Sequence, residues 1–213
     1  MKKITVGRNS AGQRLDRFLS KAFPALTQGM ICRLIRKKDI KVGGKRTEPE
    51  YKLCEGDEIT VYASDELLTE KRKDPGFTDS TLPGISIIYE DENILLADKP
   101  AGLLVHEDSG GSGSTLINAI RRYLYEKGEY RPEEEMCFAP ALCNRIDRNT
   151  GGIVIAAKNA ESLRILSRKI HDRERTKLYL CAVSGVPGKR EDTLKAYLYK
   201  NEKENRVVIS DKK

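Results

Sequence analysis

The stretch Leu142–Asn159, "LCNRIDRNTGGIVIAAKN", sets Arg145, Asp147 and Arg148 in a polar segment just before an apolar run. The run "IVIAA" (153–157) has the unbroken β-branched and small residues of a buried strand. Asn159 behind it is a helix cap, and Leu163, Leu166 and Ile170 fall on one face of the helix that follows. Asp147 therefore sits in a turn at the mouth of a core strand. By residue type alone such an Asp is most often a turn former, its side chain bonded to nearby amides, with Gly151 and Gly152 completing the turn. The other reading is a carboxylate held at a strand end for chemistry.

Upstream, "ISIIYEDENILLAD" (85–98) reads as a hairpin, two apolar runs about an acidic turn. "KPAGLLVH" (99–106) leads into the Gly/Ser stretch "SGGSGS", which ends at a cap, Ser114. Leu116, Ile117, Ile120 and Leu124 then face inward on a helix. Downstream, "KLYLCAVSG" (177–185) has strand character, and "LKAYLYK" (194–200) and "RVVIS" (206–210) flank a last hairpin turn, "NEKEN".

The composition narrows the function. Charged residues make up 33% and hydrophobic residues 38%, ordinary for a soluble globular chain. No apolar run has membrane-span length, and the N-terminus lacks the apolar core of a secretory signal. The five cysteines are odd in number and form no C-x-x-C pair, which suits reduced thiols in a cytoplasmic protein. With two histidines and no ligand spacing, no metal is expected. Neither a P-loop, a G-x-G-x-x-G helix start nor a G-x-S-x-G elbow occurs. The net charge of +7 is localised: residues 1–62 carry 14 Lys and Arg against 7 Asp and Glu, and the remainder is balanced. A small basic module on a neutral larger one suits docking on a polyanion.

Within that module Leu15, Phe18, Leu19 and Ala22 line one helix face, and Thr27 caps a second helix with apolar and strongly basic sides. "IKV" (40–42), the Gly43-Gly44 turn and "GDEITVY" complete it. The order resembles the S4 RNA-binding domain over residues 13–62. The resemblance implies RNA contacts at Arg33, Arg36, Lys37, Lys38, Lys41 and Lys45.

The opening stretch, together with "DKPAGLLVH" and "TKLYLCAVSG", resembles the RluA-type pseudouridine synthases, with their H-R-L-D-x-x-T-S-G-L-x-x-x-A-K, K-P-x-G-x-x-x-H and K-x-Y-x-A-x-V-x-G signatures. The resemblance implies an α+β protein. A small S4 domain (1–63, helix-helix-strand) and a linker (64–84) would precede a catalytic domain (85–213) with a mixed, mainly antiparallel sheet. It implies Asp147 and Tyr179 as catalytic residues and Arg145 beside the target base. It also implies uridine isomerisation in structured RNA, ribosomal rather than transfer, by a monomer that needs no cofactor. Asn144 stands where the signature has His, and Gly151 where it has Ser. The family continues with further strands and an R-T-H-Q-I-R segment whose Arg pairs with the Asp, and "VVISDKK" ends without it. The expectation is a C-terminally incomplete catalytic domain with little or no isomerase activity by itself. The competing reading is an RNA-binding S4 module attached to an inert synthase domain.

Overall fold

A computed structural model describes residues 1–68, 84–107, 114–133, 135–201 and 206–210. Two compact units result, Met1–Arg175 and Thr176–Lys213. The expected linker falls mostly on 69–83, the Gly/Ser loop on 108–113 and the NEKEN turn on 202–205, all outside the described residues.

The first unit opens with β1 (Lys2–Thr5), then α1 (Leu15–Ala22) and α2 (Gln28–Arg36), then β2 (Ile40–Val42), β3 (Lys45–Arg46) and β4 (Glu58–Val61). These strands form one antiparallel sheet in the order β1-β4-β2-β3. The apolar faces of both helices close over it: Leu15, Phe18, Leu19, Phe23, Ile31, Ile35, Ile40, Ile59 and Val61 are buried together. Each such side chain contributes about 1.5–3 kcal/mol when fully buried. Thr27 accepts the Met30 N–H and so caps α2, as its position predicts. Gly43 and Gly44 both have positive φ, 56° and 74°, the backbone of the tight turn between β2 and β3. β1 was not foreseen. Its four residues carry two lysines, and its strand form comes from pairing Lys2 to Thr5 against Val61 to Glu58.

A second antiparallel sheet follows in the order β5-β6-β8-β7, from β5 (Ser86–Glu90), β6 (Ile94–Lys99), β7 (Ala141–Leu142) and β8 (Gly152–Ala157). Helix α3 (Leu116–Glu126) packs Leu116, Ile120 and Leu124 on Leu95, Ala97, Val154 and Ala156. Its cap is Thr115, whose side chain accepts the Asn118 N–H, and not Ser114. Thr115 wins because Leu116 N–H already bonds the Leu104 carbonyl, which fixes where the helix begins. Asn159 caps α4 (Ala160–His171) as expected, accepting the Ser162 N–H. The α+β class with mainly antiparallel sheets holds.

In the second unit β9 (Tyr197–Asn201) and β10 (Arg206–Ser210) form the expected hairpin. Residues 177–185 differ from expectation and form no strand. Leu178 is 88% exposed and Tyr179 63% exposed. Alternating apolar residues become a strand only where a neighbouring strand accepts the ladder, and no ladder pairs with these residues.

Candidate active site and nucleic-acid interface

The antiparallel register sets Lys99, the last residue of β6, opposite Gly152, the first of β8. The loops after β6 and before β8 therefore share one edge of the sheet. Main-chain and side-chain bonds lock them together. Gly102 N–H donates to the Arg148 carbonyl (2.8 Å), and Arg148 Nε donates back to the Gly102 carbonyl (3.0 Å). Gly102 has a φ of 90°, which an L side chain would strain.

Lys99 is the pin of this crossing. It is fully buried, and its Nζ donates to the carbonyls of Pro100 (2.9 Å), Leu103 (2.8 Å) and Arg148 (2.9 Å). An ammonium has three donors and no acceptor, so three carbonyls satisfy it completely. Burial pulls its pKa down, and the charge of nearby Asp147 opposes that fall.

Asp147 itself is exposed at the start of the turn, which Thr150 N–H closes on the Asp147 carbonyl (3.1 Å). The main chain thus makes the turn, with no side-chain bond from the carboxylate among the described residues. Among the described residues no ion pair joins Asp147 to Arg145 or Arg148. Burial first, then the charges of Arg145 and Arg121, hold the His106 imidazole below its ordinary pKa. Among the described residues no group of His, Cys, Asp and Glu is arranged to hold a metal.

Asn144 explains how the chain leaves the sheet before this turn. Beyond Leu142, Cys143 N–H still bonds the Ile155 carbonyl (2.7 Å). The Asn144 side chain then replaces the backbone. Its Oδ1 accepts the Ile155 N–H (2.8 Å), and its Nδ2 donates to the Ile153 carbonyl (3.3 Å). The edge of β8 stays paired while the main chain is released toward Asp147. Gly151 has its missing Cβ in ordinary contact range of the Lys99 carbonyl, at 3.5 Å, so a small side chain fits there.

Tyr179 belongs to the second unit and is exposed there. The basic residues of α2, its end and the β2–β3 hairpin lie on the surface: Arg33, Arg36, Lys37, Lys38 and Lys45 are exposed and Lys41 is half-buried. Lys38 has a φ of 67°, and Asp39 N–H reaches the Leu34 carbonyl (2.9 Å), so α2 ends in a left-handed cap where glycine is usual. Lys41 Nζ lies 5.6 Å from the Tyr62 ring, and Lys41 pairs across the hairpin with Arg46. Tyr62 and Arg46 were not singled out from sequence, nor were Lys99 as a pin and Asn144 as a ladder surrogate. The signals for Lys99 were a lysine ending an apolar strand before Pro-x-Gly and its place as the first residue of the K-P-x-G-x-x-x-H signature.

Residues 93–213 match the RNA pseudouridylate synthase family, and residues 13–59 match the S4 domain. The chain belongs to the RNA pseudouridylate synthase family. It is 33% identical over 207 residues to the ribosomal large subunit pseudouridine synthase C of Salmonella typhi, covering 94% of this chain and 60% of that protein. The protein of that name from Vibrio vulnificus is 34% identical over 215 residues, covering 97% and 63%. An uncharacterized RNA pseudouridine synthase of Aquifex aeolicus is 32% identical over 176 residues, covering 82% and 52%. The chain thus spans about 60% of the length of the first of these relatives. No helix among the described residues is long and apolar enough to cross a membrane.

Proposed function

We propose that this chain carries the RNA-docking and aspartate-bearing part of an enzyme that isomerises uridine to pseudouridine in large-subunit ribosomal RNA, in the cytoplasm. The observation that carries this reading is Asp147: an exposed carboxylate with no ion pair among the described residues, on a turn anchored by a buried lysine. Uridine isomerisation breaks the bond from C1′ to N1, turns the base and forms a bond from C1′ to C5. An ionised carboxylate starts this either by attacking C1′ or by taking a sugar proton as base. Arg145, exposed beside the turn, is the residue to take the place of the extruded uridine or to contact its flanking phosphate. Tyr179 supplies an aromatic face for the uracil and a hydroxyl for proton transfer. The basic face of α2 docks the RNA through phosphates, at Arg33, Arg36, Lys37 and Lys38, with Lys41 and Lys45 continuing it.

The new bond at C5 expels the hydrogen there, so release of tritium from RNA labelled at uridine C5 measures turnover. The assay is run on the chain and on the chain joined to the portion of the Vibrio vulnificus relative that it does not cover. Turnover is expected in the joined protein, falling by about a thousandfold or more in Asp147→Ala. Turnover that survives this substitution would contradict the assignment.

A further inference from the structure

In the first unit, α1 and α4 border a shared cavity of about 410 Å³, whose wall between them is the segment 137–139. The two helices belong to different sheets, yet direct bonds hold the parts together. Asn9 Oδ1 accepts the Ala160 N–H at the start of α4 (3.1 Å), and Asn9 Nδ2 donates to Glu135. Arg164 Nη1 donates to the Ala11 carbonyl (3.0 Å), and the Cys137 thiol lies 3.6 Å from the Phe18 carbonyl. Met136 and Cys137 pack against the N-terminal core. The cavity therefore has defined walls.

Its charge is one-sided. Four cations border it, Arg14, Arg17, Lys21 and Arg164, and among the described residues no acidic side chain does. Arg14 is already committed, to Asp16 (2.8 Å) and Glu50 (3.0 Å). The other three have no carboxylate partner among the described residues: Lys21 reaches only Gln13 Oε1 (3.4 Å), and Arg164 only a carbonyl. Arg17 and Lys21 are four residues apart and share one face of α1. Like charges so placed repel, and among the described residues no carboxylate pairs with either of them.

We propose that Arg17, Lys21 and Arg164 form a second phosphate track, on which the RNA backbone passes from the N-terminal sheet toward the synthase sheet. This rests on the reading that the chain binds RNA. The occupant is argued from charge: the whole +7 excess lies within residues 1–62, where α1 and α2 both present unpaired cations. A polyanion longer than either patch engages both. An acidic peptide is the alternative that the experiment separates.

The experiment is fluorescence anisotropy of a labelled ribosomal RNA hairpin against KCl, with wild type, Arg17→Gln/Lys21→Gln and Arg36→Gln/Lys37→Gln. Each lost phosphate contact lowers the slope of log affinity against log salt by about one, so the α1 pair should lower it by about two. At 0.1 M salt the affinity of that pair should fall by at least about tenfold. The charge-preserving swap Arg17→Lys/Lys21→Arg, on the same exposed positions, should bind like wild type with an unchanged melting curve. An α1 pair that keeps wild-type affinity and slope while the α2 pair weakens would overturn the track and leave the RNA reading standing. A wild type that binds no RNA at low salt would overturn both. Poly-glutamate binding as tightly as RNA, and lost in the α1 pair, would assign the cavity to an acidic peptide and overturn the proposal.

Discussion

Two groups of cations in this molecule are placed in opposite ways. Lys99 is buried and Lys158 half-buried with its side chain 8% exposed, and both are fully engaged, Lys99 by three carbonyls and Lys158 by Glu90 (2.8 Å), the Asp91 carbonyl (2.7 Å) and Glu129. Arg33, Arg36, Lys37 and Lys38 are exposed on or just after α2, and no carboxylate among the described residues pairs with them. A cation inside holds chain segments in register, because any change leaves its partners unsatisfied. A cation outside contributes little to stability and keeps its full charge for a polyanion. The same residue types thus divide between architecture and recognition by burial alone, and the division makes opposite predictions for stability and binding.

The largest effect is expected at the buried pin. Lys99→Met leaves the Pro100 and Leu103 carbonyls without their donor and should cost about 3–4 kcal/mol in urea unfolding. A variant as stable as wild type would show that this buried cation does not hold the two loops together. Next comes Glu90, which accepts from Lys158, Lys127 (2.9 Å) and Tyr123 (2.8 Å). Its burial raises the pKa, but the bonds from Lys158, Lys127 and Tyr123 outweigh this and hold it at about 2. A carboxylate depressed in the folded state stabilises fully above its ordinary value of 4.5 and loses that contribution as pH falls toward 2. Stability should therefore drop by an amount on the order of 2–3 kcal/mol across that window. Glu90→Gln should flatten the drop, and an equal drop in the variant would sink the attribution.

The exposed group should behave in reverse. Arg36→Glu/Lys37→Glu is expected to weaken RNA binding by about tenfold or more at 0.1 M salt, with a melting temperature close to wild type. A large loss of stability would mean that these charges are architectural after all. The smallest effect is at Lys38, which joins both roles. Lys38→Gly relieves the left-handed backbone and should raise stability by about 0.5–1 kcal/mol, while the salt slope of RNA binding falls by about one.

Much of this was legible in sequence because it is local. The α1 face of Leu15, Phe18, Leu19 and Ala22, the caps Thr27 and Asn159, and the hairpin of β5 and β6 all follow from spacing and neighbouring residues. The turn holding Asp147 was also legible, at the entrance to β8. What was hidden depends on distant partners. Lys99 acquires its role from a carbonyl 49 residues away, and Asn144 from the edge of a strand that the chain has yet to form. β1 exists because β4 accepts it, and 177–185 forms no strand because no ladder does the same. Alternation of residues states a readiness to pair, and only the fold supplies the partner.

The proposed role of the pinned crossing is to present Asp147, and that of Asp147 to perform the chemistry. The most direct measurement pairs tritium release from uridine-labelled ribosomal RNA with urea unfolding for Asp147→Ala, in the joined protein. Loss of turnover is expected with stability within about 1 kcal/mol of wild type, since Asp147 is exposed and among the described residues makes no ion pair, its charge acting on Lys99 through space. Wild-type turnover in Asp147→Ala, or a loss of turnover matched by unfolding, would contradict it.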